Sequence, residues 1–217
     1  VATISANNDK ELGKIIGEAF RSVDETGIVM METHENPETI VERIEGVQYE
    51  KGFYHGHFVT HKDKGTAELE NPLVLIVDSR IENIRKIQTI LEYIIKNNNS
   101  LLIIADVDPQ VASALAMNKG KGNIKVNIIE APVFGINRKQ TLDDLALLTG
   151  ATVINEDLGD DMDLIQVEHL GTCIKSISTQ DETTIQIKEK TQEVEDLIKV
   201  IEKKIEETPN PNLVIRY

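Results

Sequence analysis

The sequence predicts a mixed α/β fold in which central sheets are flanked by helices, with a smaller α+β appendage built from both chain ends. Three observations carry this expectation. Short apolar runs at Leu73-Val-Leu-Ile-Val, Leu101-Leu-Ile-Ile-Ala and Ile124-Lys-Val-Asn-Ile-Ile alternate with segments of helical periodicity, the pattern of strands covered on both faces by crossover helices. The stretch Cys173 to Ile187 alternates polar and apolar residues around Gln180-Asp-Glu and predicts an antiparallel hairpin. The length, 217 residues, exceeds one typical domain and falls short of two, which suits one core plus an appendage.

The elements follow in chain order. Leu12, Ile15, Ile16, Ala19, Phe20 and Val23 recur at i, i+3 and i+4 and predict a helix from about Asp9 to Val23. Asn8 and Glu11 have the spacing of a capping box at its start. Gly27-Ile-Val-Met-Met reads as a short strand ended by a loop at His34-Glu-Asn-Pro-Glu. From Val41 to Val59 three glycines break the pattern, so extended or looped chain is expected. Ile84, Ile87, Leu91, Ile94 and Ile95 predict the first crossover helix, stopped at Asn97-Asn-Asn. Val111, Ala114, Leu115 and Met117 predict the second, with Pro109 tolerated in its first turn. Leu142, Leu145, Ala146 and Leu148 make a third helix that Gly150 terminates, and Ala151-Thr-Val-Ile follows as a strand. Val194, Leu197, Ile198, Ile201 and Ile205 form a long last helix closing at Thr208-Pro209.

Charge and composition exclude several functions. With 37 acidic and 23 basic residues the formal charge is −14, the opposite of the Lys/Arg clustering that binds phosphate backbones, so nucleic acid is not an expected partner. No apolar run approaches the ~20 residues that span a bilayer, and neither a membrane span nor a signal peptide is expected. The first residue is Val1 and not Met, which suggests a fragment or a processed chain. The single cysteine, Cys173, fits a reducing compartment and reads as a small strand residue.

Catalytic signatures are sparse. No phosphate-binding glycine loop, dinucleotide fingerprint, nucleophile elbow or paired-histidine metal helix is present. His55, His57 and His61 share one side of an extended segment near Asp63, which leaves open a small-molecule or metal-dependent α/β enzyme that uses this cluster. Without a visible set of orienting partners, no metal is assigned there. Asp143-Asp144 and Asp160-Asp161 read as solvated charges. The concentration of Tyr49, Phe53, Tyr54 and Phe58 within ten residues, in a chain with four Phe and four Tyr, is either aromatic packing in a core or a binding segment. Pattern alone favours a binding module over an enzyme.

Several segments resemble the group I chaperonin (GroEL-type) family: Thr3-Ile-Ser-Ala-Asn, Glu45-Gly-Val-Gln-Tyr-Glu-Lys-Gly-Phe, Ala67-Glu-Leu-Glu-Asn-Pro, Leu101-Leu-Ile-Ile-Ala, Ala131-Pro-Val-Phe-Gly-Ile-Asn-Arg-Lys, Leu145-Ala-Leu-Leu-Thr-Gly-Ala-Thr-Val-Ile and Glu168-His-Leu-Gly. They are collinear and span nearly the whole chain. The resemblance implies a GroEL-like apical domain over residues 46–194, part of the intermediate domain at 1–45, and a C-terminal helix at 195–217 leading back toward the intermediate domain. The family's nucleotide loop, Gly-Asp-Gly-Thr-Thr-Thr, and its catalytic Asp segment have no counterpart here, so ATP and Mg belong to a full-length parent and no cofactor or catalytic residue is expected in these 217 residues.

What the family does is assist folding by capturing non-native polypeptides, and the mobile loop of a GroES-type co-chaperonin, in an apolar groove between two helices beside an aromatic extended segment. Carried onto this sequence, the resemblance implies Phe53, Tyr54, His57 and Phe58 in the segment, Gln88 and Leu91 in the first groove helix, and Ala112, Leu115, Ala116, Met117 and Asn118 in the second. Lys51 and Lys121 stand where the family commonly has Arg in inter-subunit ion pairs, and as point charges they lose the bidentate fork. His57, Gln88, Ala112 and Ala116 make the expected groove smaller and more polar than is usual, and Asp106-Val-Asp-Pro-Gln lacks one position, which unsettles the register of the second helix. A competing reading makes Leu91 and Leu115 plain core. The parent is expected to form a seven-membered ring, this chain a monomer or weak oligomer, in a bacterial cytoplasm or an organelle matrix.

Overall fold

The structure, a computed structural model, describes residues 1–23, 29, 39–41, 45–131, 136–187 and 192–207. Apart from Val29, the expected strand and loop at Gly27 to Glu38 lie outside the described residues, as do the Pro132 to Gly135 stretch and the closing Thr208-Pro209. The chain divides into two compact units, Val1–Ile44 and Glu45–Tyr217, so the last helix groups with the second unit.

The first unit contains α1 (Ala2–Ser5) and α2 (Lys10–Ser22). Asp9 caps α2, its carboxylate accepting from the amides of Glu11 (2.9 Å) and Leu12 (3.0 Å). The cap therefore sits one residue beyond the expected Asn8, because Asn7 and Asn8 both occupy left-handed backbone (φ 54° and 65°) and turn the chain between the two helices.

In chain order the second unit comprises β1 (Glu45–Tyr49), β2 (Ala67–Glu70), β3 (Leu73–Val77), α3 (Gln88–Asn97), β4 (Ser100–Ile104), α4 (Pro109–Gly120), β5 (Lys125–Ile129), α5 (Ile136–Thr149), β6 (Val153–Ile154), β7 (Gly171–Thr172), β8 (Lys175–Ser178), β9 (Thr183–Ile187) and α6 (Gln192–Glu207). Two open sheets result. One is antiparallel in the order β1-β9-β8-β2; the other runs β5-β4-β3-β6 in parallel, with β7 added antiparallel to β3. The expected three buried strands, the hairpin and every helix expected within the described residues are present. Among the described residues no helix is long and apolar enough to cross a membrane.

Alternation along the parallel strands sends their side chains to two different interiors. Leu75, Val77, Leu101, Ile103, Val126 and Ile128 join the cluster beneath α3 and α4, whereas Val74, Ile76, Leu102, Ile104 and Ile129 join one shared with Leu69, Ile185 and α5 residues Leu142 and Leu145. That second interior has a polar edge. Asn127 is fully buried and donates from Nδ2 to Ser178 Oγ (2.9 Å), which also accepts from Thr183 Oγ1 (3.0 Å). Asn127 Oδ1 and buried Ser176 Oγ make no hydrogen bond.

Helix ends are settled by local chemistry. Asn83 Oδ1 accepts from Arg85 N (3.0 Å) and starts a 3-10 turn, Ile84–Ile87, that leads into α3. Asp108 Oδ1 accepts from Gln110 N (2.9 Å) at the start of α4, where Pro109 occupies the first turn. Asn98 ends α3 in left-handed backbone (φ 52°), and Gly150 (φ 72°) does the same after α5. Because only glycine is free of a Cβ penalty there, Asn98→Gly is expected to leave stability unchanged or slightly raised, while Asn98→Ala loses about 1 kcal/mol in urea denaturation.

Candidate functional site

The segment rich in aromatic residues runs from Phe53, bridged to Ile129, into a 3-10 turn at Gly56–Phe58. Tyr54 N donates to Ile128 O (2.8 Å) and Phe53 N to Thr179 O (3.0 Å), so this stretch is stitched to the end of β5 and to the β8–β9 loop. Phe58 turns inward and is fully buried. It belongs to the same apolar cluster as Leu91, Ala112 and Leu115, and Phe53, Tyr54 and Ala116 pack against that cluster. Three segments far apart in sequence thus converge. Their apolar members are closed in: Leu91 is 9% exposed, Ala112 3% and Leu115 1%.

The remaining expected groove residues are exposed, except Asn118, which is half-buried. Gln88 is exposed and donates to Glu92 Oε1 (2.7 Å), Asn118 Nδ2 donates to Ala114 O (2.9 Å), and Met117 is 62% exposed. His57 is also exposed. Its ring stacks on that of His55 with centroids 4.4 Å apart. His61 turns elsewhere, its Nε2 lying 3.8 Å from Glu68 Oε2. Among the described residues no group of three or more His, Cys, Asp or Glu side chains could hold a metal ion. Lys51 faces Glu130 of its own chain at 3.5 Å, and Lys121 is exposed at the end of α4.

A second polar constellation went unread in the sequence. In open parallel sheets, ligands bind beyond the carboxyl ends of the strands where the strand order reverses, and here β4 and β6 flank β3 on opposite sides. The first residues after these strands are Asp78, Ala105-Asp106 and Asn155. Arg138 of α5 reaches into this edge. Its Nε donates to Asp78 Oδ1 (2.7 Å), one terminal nitrogen to Asp78 O (2.7 Å) and the other to Asp106 Oδ2 (3.3 Å). Asn155 Nδ2 takes Asp78 Oδ2 (2.9 Å), Glu156 N takes Ser79 Oγ (2.8 Å), and Lys86 pairs with Glu156 (2.6 Å). At the position where such sheets bind small molecules, Asp78, Asp106 and Asn155 are thus engaged by Arg138 and by one another. The available signal was positional: Asp78, Asp106 and Asn155 are among the first polar residues after apolar runs.

Asp160 and Asp161 are exposed, as expected of solvated charges, and each also holds backbone. Asp160 Oδ2 accepts from Asn155 N (2.9 Å) and Asp161 Oδ1 from Asp163 N (2.9 Å), fastening the 3-10 turns after β6.

Glu68, on β2, accepts from Lys175 Nζ (2.9 Å) and Thr66 Oγ1 (3.0 Å). Burial pushes its pKa up, but hydrogen bonds from Lys175 and Thr66 and the charges of Lys175 and His61 outweigh that, leaving the carboxyl below its ordinary value. Cys173 is buried, and burial pushes its thiol up to about 12, the reverse of a reactive cysteine. No protein-family model matches the chain.

Two outcomes follow. Because Glu68 is ionised more readily folded than unfolded, the stability it contributes is present above the ordinary carboxyl value of 4.5 and disappears as pH falls through the lower folded value. Glu68→Gln is therefore expected to cost about 1–3 kcal/mol at pH 7 and nothing once both states are protonated, checked by urea unfolding across that range. Native Cys173 is expected to react with a disulfide reagent at pH 8 about a thousandfold more slowly than in denaturant; comparable rates contradict its burial.

Proposed function

We propose that this chain is the polypeptide-binding, apical portion of a group I chaperonin, which captures apolar segments of non-native proteins and of a GroES-type co-chaperonin loop and so assists folding. The observation that carries the reading is the convergence of Phe58 with Leu91, Ala112 and Leu115, drawn from three separated segments, on one apolar cluster. Those are the segments to which the collinear resemblance assigns capture. Unfolded chains are recognised by apolar area alone, worth ~25 cal/mol per Å² without a demanded sequence.

Further support comes from outside the cluster. Met117 stands exposed on α4, and a flexible thioether adapts to many partners. The engagement of Arg138 with carboxylates at the sheet's carboxyl edge favours a binding module over small-molecule chemistry in the same fold. Nucleotide hydrolysis, a seven-membered ring and a bacterial cytoplasm or organelle matrix belong to the parent in this reading.

Burial decides which substitutions can test it. A charge at Phe58 or Leu91 enters the core and destabilises the fold, so the informative position is Met117. Equilibrium titration of a labelled, permanently unfolded polypeptide is expected to saturate, and Met117→Glu to weaken it about tenfold, or ~1.4 kcal/mol, with unfolding midpoints unchanged. Unaltered affinity in that variant removes α4 from the binding face.

A further inference from the structure

The turn that buries Phe58 is held by an unusual clamp. Lys119, on α4, donates from Nζ to the carbonyl oxygens of His57 (3.1 Å) and Val59 (2.8 Å), the two residues that flank Phe58. Both acceptors are neutral. On one side the chain is anchored at Gly52, where an added Cβ would lie 2.2 Å from the carbonyls of Thr179 and Gln180, and at Tyr54 through Ile128 O. On the other side Thr60 and His61 pair with Thr66. Between these anchors the turn's other backbone bonds are internal, Phe58 N to His55 O (2.9 Å) and Val59 N to Gly56 O (3.2 Å). The clamp and the Phe58 ring therefore hold the turn to the helical layer.

We propose that this turn is an autoinhibitory plug, in which Phe58 occupies the apolar site that an aromatic or large aliphatic residue of a non-native polypeptide takes once Lys119 releases the turn. The proposal rests on the capture reading above. The plug itself indicates the ligand chemistry, since the apolar cluster that includes Leu91 and Leu115 already accepts a phenyl ring. Release needs no movement of α4. Lys119 borders a cavity of about 660 Å³, which also reaches Thr60, Asn99 and Gly122, and the ammonium can exchange its two carbonyls for water there. Burial holds the Lys119 amine below its ordinary pKa, so its present place is one in which the charge is poorly solvated.

The test compares the 217-residue chain with Lys119→Met, which keeps the aliphatic stem and removes the donors, and with Lys119→Arg, which keeps them. Hydrogen exchange at the amides of Phe58 and Val59 is expected to rise about tenfold in Lys119→Met while Ile103 in β4 stays protected, and affinity for an unfolded polypeptide to rise by a similar factor, because a site open only part of the time binds in proportion to that fraction. Lys119→Arg is expected to behave as wild type. Unchanged exchange at Phe58 and Val59 overturns the plug, whatever the affinity; so does faster exchange with unchanged affinity in a wild type that binds. Faster exchange with no binding by either protein overturns the capture reading, and the plug with it. Should Ile103 lose protection in Lys119→Met, Lys119→Gln, which retains one short donor, replaces it under the same criteria.

Discussion

The second unit depends on strands β3 and β4 being covered on both faces. Val74 to Val77 and Leu101 to Ile104 are all inaccessible to solvent, and a strand's side chains alternate between its faces, so each face requires its own cover. Helices α3 and α4 with the aromatic turn supply one; the antiparallel sheet and α5 supply the other. Full burial of each such side chain is worth about 1.5–3 kcal/mol, more than any surface ion pair in the molecule can contribute. The polar clusters take their positions from this arrangement. Because β3, β4 and β6 run parallel, the residues that follow them arrive at one edge, and Arg138 finds Asp78 and Asp106 there together.

This architecture separates two kinds of surface. The carboxyl edge is polar, and the contacts of the Arg138 guanidinium described there meet acceptors of the same chain, Asp78 and Asp106. The helical face is apolar beneath and carries Gln88, Glu92 and Met117 outside. The two surfaces thus differ in what they offer a ligand: charged groups already engaged by one another at the edge, and apolar area at the helical face.

Much of the fold was legible because strong patterns met little competition. Buried parallel strands announce themselves as apolar runs, and Asn98, Pro109 and Gly150 mark helix ends by backbone chemistry alone. Strand β2 was harder: in Ala67-Glu-Leu-Glu the inward residues are only Ala67 and Leu69, too short an alternation to separate from loop. The acidic stretch from Glu156 to His169 carries three 3-10 turns of three residues each, below the length at which any period can be read. At the candidate site, sequence pointed to the right segments but not to their exposure. Helix α4 presents apolar residues around much of its circumference, so nothing in its spacing separates Leu115, which is interior, from Met117, which is outside. Lys119 is silent in sequence because its acceptors are backbone carbonyls some sixty positions earlier.

The two covers of the parallel strands are not equally cohesive. Beneath the helices the cluster is built of aliphatic and aromatic residues with Met162, but between the sheets Asn127, Ser176, Ser178 and Thr183 form a hydroxyl and amide seam in which Asn127 Oδ1 and Ser176 Oγ lack partners. Each such oxygen costs about 1–3 kcal/mol when kept from water, and it regains solvation as soon as the sheets part. Parting the antiparallel sheet from the parallel strands therefore returns water to buried polar groups, which lowers the free energy of that opening relative to a fully paired seam.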